Sequence, residues 1–223
     1  RDLYGAAVKD RKKEKKTYML CVKTYQYSIT TEAALQVYLE EKKHFKDRAF
    51  ELSMIGAGCG RTDWVDRGGV FNEWTCRSAA KGGQLRVLQW LRGRDCPFGT
   101  YTCEGAATNG HLAVLRWLRE HGCPWDASTC AQAARHGHLR LLQWARREGC
   151  PWNASTCTQA AGNNDLALLQ WARKEGCPWD SNTCYWAASG GHLELLRWAR
   201  ENGCDCHPDV AAFDHFDSSG SDY

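Results

Sequence analysis

A period of 27 residues governs this chain. Cys76, Cys103, Cys130, Cys157 and Cys184 fall 27 residues apart, and so do Cys96, Cys123, Cys150, Cys177 and Cys204. Trp90, Trp117, Trp144, Trp171 and Trp198 keep the same spacing, and Phe98, Trp125, Trp152 and Trp179 keep it again. Four registers of one period mark a repeat architecture, in which each unit is a small module that buries its apolar face on its neighbours. The units start at Asn72, Gly99, Asp126, Asn153 and Asp180 and together cover residues 72–206.

The third unit, DASTCAQAARHGHLRLLQWARREGCPW, runs from Asp126 to Trp152. Ser128 or Thr129 can cap a first helix, helix A, in which Cys130, Ala133 and Ala134 share one small-residue face. Gly137 supplies the positive backbone angle of a tight turn. Leu139, Leu142, Trp144 and Ala145 then mark a second amphipathic helix, helix B, of about ten residues. It stops at Gly149, suited to a left-handed cap, followed by Pro151. Two helices of this length enclose too little interior to stand alone, so the pattern predicts a stacked, all-α solenoid.

These residues resemble the ankyrin repeat. Ala133-Ala134, Gly137-His138-Leu139, Leu141-Leu142 and Gly149-Cys150 match that family's positions in order and spacing. His111 and His192 keep the Gly-His-Leu turn, Gln84 and Asp165 replace its histidine, and Asn164 replaces its glycine, a substitution asparagine tolerates. The unit has 27 residues where the family has about 33. The shortfall lies where an ankyrin repeat carries its β-hairpin finger. The array is similar to the short, Trp-rich and Cys-rich ankyrin variants of algae, oomycetes, amoebae and large viruses. The resemblance implies protein binding by helix A faces and exposed turns rather than by fingers.

Outside the array, residues 1–30 form a basic segment expected to be extended. Lys9 to Lys16 is charged throughout, and residues 17–29 are rich in β-branched and aromatic types. Residues 31–71 are expected to be helical, with a helix over Thr31 to Phe50. They also hold a degenerate capping repeat, because Trp64, Val65 and Phe71 stand almost as Trp90, Leu91 and Phe98 do one unit later. Gly-rich GAGCGRT, residues 56–62, lacks the ending of a phosphate loop and reads as an ordinary loop. Residues 207–223, with four Asp and no Lys or Arg, form an acidic tail expected to be mobile.

Thirteen cysteines suggest disulfides, metal ligands or small buried hydrophobes. Cys130 and Cys150 replace core Leu and Ala of the resembled family, which favours buried free thiols. The array offers no ligand clusters at zinc-finger spacing, so no metal or cofactor is expected there. One local group, Cys204, Cys206 and His207, could hold an ion only with a further ligand such as His215. The repeated aromatics read as structural, each ring burying area in a core-like register. The turn histidines read as hydrogen-bonding elements rather than general bases.

The favoured function is a non-catalytic protein-protein interaction scaffold, one form of which is a linker subunit of a larger intracellular assembly. Its contact surface is expected where units differ while their core does not: Arg135, His136, Asn163, Tyr185 and Trp186. Tyr185 and Trp186 stand out because the equivalent residues are Ala131 and Gln132 or Thr158 and Gln159. The alternatives are a nucleic-acid adaptor using the basic N-terminal stretch and a thiol enzyme acting through Cys21 or Cys59. The net charge of only +3 leaves the array itself nearly neutral. No small-molecule ligand is indicated, and no apolar run approaches the roughly 18 to 20 residues that span a bilayer. Thiol-rich cores favour a reducing compartment, either cytoplasm or an organelle interior such as a stroma or matrix. The first residue, Arg1, keeps a removed targeting segment among the options.

Overall fold

The computed structural model describes residues 48–206. The expected basic segment, the residues before Arg48 including Cys21, and the acidic end with His207 and His215 lie outside the described residues. The described residues form twelve α-helices and no strand, an all-α helical repeat fold. They divide into two compact units, one ending at Pro97 and the other beginning at Phe98.

In the first unit, α1 (Arg48–Cys59) packs on α2 (Thr62–Gly68) and on α3 (Glu73–Lys81), which pairs with α4 (Leu85–Arg92). Most of the Gly-rich stretch expected to be a loop is the last turn of α1. Its first glycine serves packing: a methyl group on Gly56 would come within 2.7 Å of Trp64 Cβ, and on the facing helix α2 one on Gly68 would come within 2.5 Å of Ala49 O. The chain reverses only at Gly60, where φ is +81°. Trp64 and Val65 are fully buried against α1, whereas Trp90 is only half-buried. Trp64 therefore does not occupy the environment of the tryptophan one unit on. Phe71 does play the part of Phe98, since its ring meets Trp90 edge-on at 5.7 Å.

The second unit holds four helix pairs: α5 (Thr100–Thr108) with α6 (Leu112–Glu120), α7 (Ala127–Arg135) with α8 (Leu139–Arg147), α9 (Ala154–Gly162) with α10 (Leu166–Lys174), and α11 (Ser181–Ser189) with α12 (Leu193–Glu201). The first helices stack as α5, α7, α9, α11, and each packs on its own second helix. Cys130, Ala133, Ala134, Leu142 and Ala145 are fully buried, and the same registers are buried in the other pairs. Small residues on helix A let the stacked helices approach closely. Paired leucines on helix B fill the space beneath them.

Helix A starts differently from the expectation. Asp126 is the N-cap, with extended backbone, and its carboxylate accepts from Ser128 N at 2.9 Å. Asn153 and Asp180 cap α9 and α11 in the same way, and Asn72 caps α3 through Thr75 N. Ser128 is already inside the helix, and Thr129 points into the core. The hydroxyls of Thr102, Thr129, Thr156 and Thr183 are buried without a hydrogen-bond partner. Asp and Asn outrank the threonine because they sit at the extended residue, where a side-chain oxygen reaches the free N–H groups.

The turn between the helices ties one pair to the next. His138 Nε2 lies 3.1 Å from Thr108 O, and its ring covers the turn glycine Gly110 of the preceding pair. In the first unit Gln84 takes this role, donating to Gly58 O at 3.3 Å. Asp165 instead caps α10 by accepting from Leu168 N. Asn164 holds φ at +56°, the left-handed position that glycine fills in the other turns.

Two substitutions separate the roles of cap and core. Asp126→Ala is expected to cost about 1 kcal/mol in urea unfolding. Thr129→Val, which removes an unpaired buried hydroxyl, is expected to leave stability unchanged or raise it by up to about 1 kcal/mol. A larger loss for Thr129→Val than for Asp126→Ala would restore the threonine as the cap.

Candidate interaction surface

The residues that join one pair to the next fix the surface that can face a partner. At the end of each helix B an arginine folds over the following loop. Arg119 donates to Cys123 O, Arg146 to Cys150 O and Arg173 to Cys177 O. The same guanidinium groups lie over Trp125, Trp152 and Trp179, at 4.2, 4.0 and 4.0 Å from the ring centroids. Each of these rings meets the next helix B tryptophan edge-on, as Trp152 meets Trp171 at 5.8 Å. The tryptophans expected to lie in core registers are half-buried. They form an outer seam, with the leucines beneath them as the core. Arg146→Ala is expected to lower stability by about 1–2 kcal/mol, and Arg146→Lys to recover little, because an ammonium group neither stacks nor forks. Full recovery in the lysine variant, read by thermal melting, would discount the stacking.

The cysteine registers meet inside each pair. Cys103 Sγ lies 3.4 Å from Cys123 Sγ, and the thiol of Cys123 donates to Gly99 O at the start of its own helix A. Cys150 and Cys177 likewise reach Asp126 O and Asn153 O. The hydrogen bond to its partner thiol and burial both push the Cys103, Cys130 and Cys157 thiols well above the ordinary cysteine range. Burial also raises Cys59 and pushes Cys204 up to about 11, whereas the hydrogen bonds from Cys76 and Cys157 lower their partners Cys96 and Cys177, both of them buried. Reactive cysteines need a downward shift, toward thiolate at neutral pH, together with exposure. Ten described cysteines stand outside the disulfide, but Cys184 is joined to Cys206, so the expectation of reduced thiols fails at Cys184.

Five thiols are raised, Cys59, Cys103, Cys130, Cys157 and Cys204, and two are lowered, Cys96 and Cys177, so the net dependence of stability on pH takes the sign of the larger, raised group. The folded chain keeps the protons of the raised thiols after the unfolded chain, with thiols near about 8.5, has begun to lose them. Stability is therefore complete below that pH and declines above it. The urea midpoint of the reduced chain at about pH 10 should lie below that near neutrality, and an equal or higher midpoint would contradict the burial of protonated thiols.

Arg135, His136, Asn163, Tyr185 and Trp186 are all exposed. Two close approaches join them into a strip across α7, α9 and α11. A methyl group on Gly137 would lie 3.4 Å from Asn163 Nδ2, and one on Gly162 would lie 3.8 Å from Trp186 Cβ. The strip thus runs from the end of α7, past the end of α9, to the middle of α11. Tyr185 and Trp186 are 54% and 50% exposed, with rings edge-on at 5.8 Å. Sequence reasoning missed two members of the same side. Tyr101, on the first turn of α5, is exposed where later units have Ser128, Ser155 and Asn182. Glu104 is almost buried and accepts from Gln132 at 3.4 Å. Tyr101 shares its register with the exposed Trp74 one unit earlier, and Glu104 stands in the same varied register as Tyr185. On the helix B side, Gln143, Arg146, Arg147, Trp171 and Glu175 line an open groove that contains no nucleophile.

No protein-family model matches the chain, and no curated protein matches it. Among solved structures it is similar to the human ASB11 ankyrin repeat domain, with 14% identity and a TM-score of 0.54 over 69% of this chain and 84% of that one. A second match is the pentatricopeptide repeat protein PPR10 in complex with an 18-nt psaJ RNA element, with 14% identity and a TM-score of 0.37 over 80% of this chain and 37% of that one. The first likeness shows an ankyrin-like fold.

Proposed function

We propose that this ankyrin-like array is a non-catalytic scaffold that binds another protein along the α7–α9–α11 strip, with Tyr185 and Trp186 as its anchor. The observation that carries the reading is the exposed aromatic pair on a helix face where neighbouring units present Ala131, Gln132, Thr158 and Gln159. Two adjacent rings offer large contact area at small entropic cost, which is how a few residues come to dominate an interface. Arg135, His136 and Asn163 supply the polar margin. A scaffold role agrees with a core that repeats while its surface varies.

The same reading extends to context. Ten cysteines outside any disulfide suit a reducing compartment, cytoplasm or an organelle interior, and a structural or linker subunit is the form of scaffold we favour. No helix among the described residues is long and apolar enough to cross a membrane. The nucleic-acid alternative rests on Lys9 to Lys16, outside the described residues, and no observation on the array favours it.

The test compares the natural complex formed by the unaltered chain with that formed by the Tyr185→Ala/Trp186→Ala double variant. Removing an anchor worth about 2 kcal/mol or more should weaken partner binding at least about tenfold while the melting temperature holds. Undiminished binding by a folded double variant would remove these residues from the interface.

A further inference from the structure

The last pair departs from the repeat in one residue whose chemistry is distinct. Where the other units close with Cys-Pro-Trp or Cys-Pro-Phe, the fifth reads Cys204-Asp205-Cys206. Cys206 is therefore the register equivalent of Trp125, Trp152 and Trp179 and puts a thiol in place of an indole. The helix B tryptophan that such an indole would meet has no counterpart after α12 among the described residues.

The consequence is a third sulfur beside a buried pair. Cys184, on the first turn of α11, and Cys204, in the loop after α12, are the usual pair. Cys206 comes back to them, and the sulfurs of all three lie within 4.8 Å of one another. Cys184 and Cys204 are buried, whereas Cys206 is half-buried and is the way in. Cys204 also donates to Asp180 O, which fixes its sulfur against the start of α11. Among the described residues, no other group of three cysteine, histidine or carboxylate ligands gathers in this way.

We propose that, when reduced, Cys184, Cys204 and Cys206 form a binding site for a thiophilic divalent cation of the zinc class. Sulfurs in a tetrahedral zinc–thiolate site sit roughly 3.8 Å apart, which follows from a Zn–S bond of about 2.3 Å. The three cysteines meet that spacing with small movements of side chains already placed by α11 and the loop. Three protein ligands leave the fourth position for water or another donor. The joined Cys184–Cys206 form and the metal-loaded form are alternative states of the same sulfurs. A dithiol reductant breaks the S–S bond by supplying two electrons and two protons and is itself oxidised to a disulfide. Binding of the cation as three thiolates then releases three protons. This site uses none of the residues of the protein-binding strip, although Cys184 stands next to Tyr185 on α11.

The test uses the full chain, reduced with a dithiol and freed of it without air, then titrated with Zn2+ against a chromophoric chelator and with Co2+ as an optical reporter. The expected result is one equivalent per chain with a sulfur-to-cobalt charge-transfer band. Both should be lost in Cys206→Ser and in Cys206→Trp, which restores the repeat residue. No uptake, uptake spread over several equivalents, or unchanged uptake in folded Cys206→Ser would overturn the site. Should both variants fail to melt cooperatively, alkylation of the unaltered chain decides. Zn2+ should shield Cys206 from iodoacetamide, and unshielded labelling would overturn the proposal.

Discussion

A nine-residue helix is too short to persist alone, and everything else in the fold answers that constraint. Isolated helices below about 12 to 15 residues are marginal in water, because nucleation costs more than a few added hydrogen bonds return. Helices α5 to α12 have nine residues each, so their stability must come from burial. The small face of helix A, with Cys130, Ala133 and Ala134, allows the next helix A to come close on the stack. Leu141 and Leu142 on helix B are covered in the same step. Nothing in one pair is complete until its neighbour is present, which is why the 27-residue period is so strict where the core is concerned and so loose elsewhere.

Shortening the repeat removes the segment in which an ankyrin unit would place a hairpin, and the arginine seam compensates for it. Four residues, Gly149 to Trp152, carry most of the turn from α8 toward α9. Such a loop leaves the Cys150 carbonyl and the Trp152 ring at the surface unless something closes over them. Arg146 does both, donating to the carbonyl and stacking on the ring, while Trp171 meets the other edge of that ring. Arginine suits the position because its planar cation can hydrogen-bond in plane and stack out of plane at once. The half-burial of the tryptophans follows directly: they seal a joint between loop and helix B rather than filling the core.

Much of this architecture is legible in the sequence, because repetition converts a weak local signal into a strong one. The helix pairs, the left-handed turn at Gly137 and its asparagine substitute at Asn164 all follow from residue type and period. What fails does so for identifiable reasons. Ser128 and Thr129 are good capping types, but the cap is decided by which residue is still extended, and that is Asp126. Periodicity places Trp144 on the helix stripe without distinguishing the buried centre of the stripe from its edge. The glycines near Cys59 look like a loop because the purpose of Gly56, close contact with Trp64 and Val65, is tertiary. The arginine seam has a clear period of its own, yet a basic residue near a helix C-terminus has an ordinary local explanation that conceals its stacking role.

The places where the registers break are therefore the informative ones. A residue that repeats is explained by the stack; a residue that leaves its register must be explained by something the stack does not require. Tyr101, Tyr185 and Trp186 put rings that stay about half exposed where later or neighbouring units have small or polar residues, at a cost in solubility. Cys206 exchanges an indole for a thiol at the one pair with no following helix pair among the described residues. The first departure brings apolar area to a surface that could meet another protein, and the second brings a third sulfur to a pair of sulfurs. On the scaffold reading proposed above, the chain separates two tasks by position, with stability held in what every unit shares and recognition in the residues that leave their register.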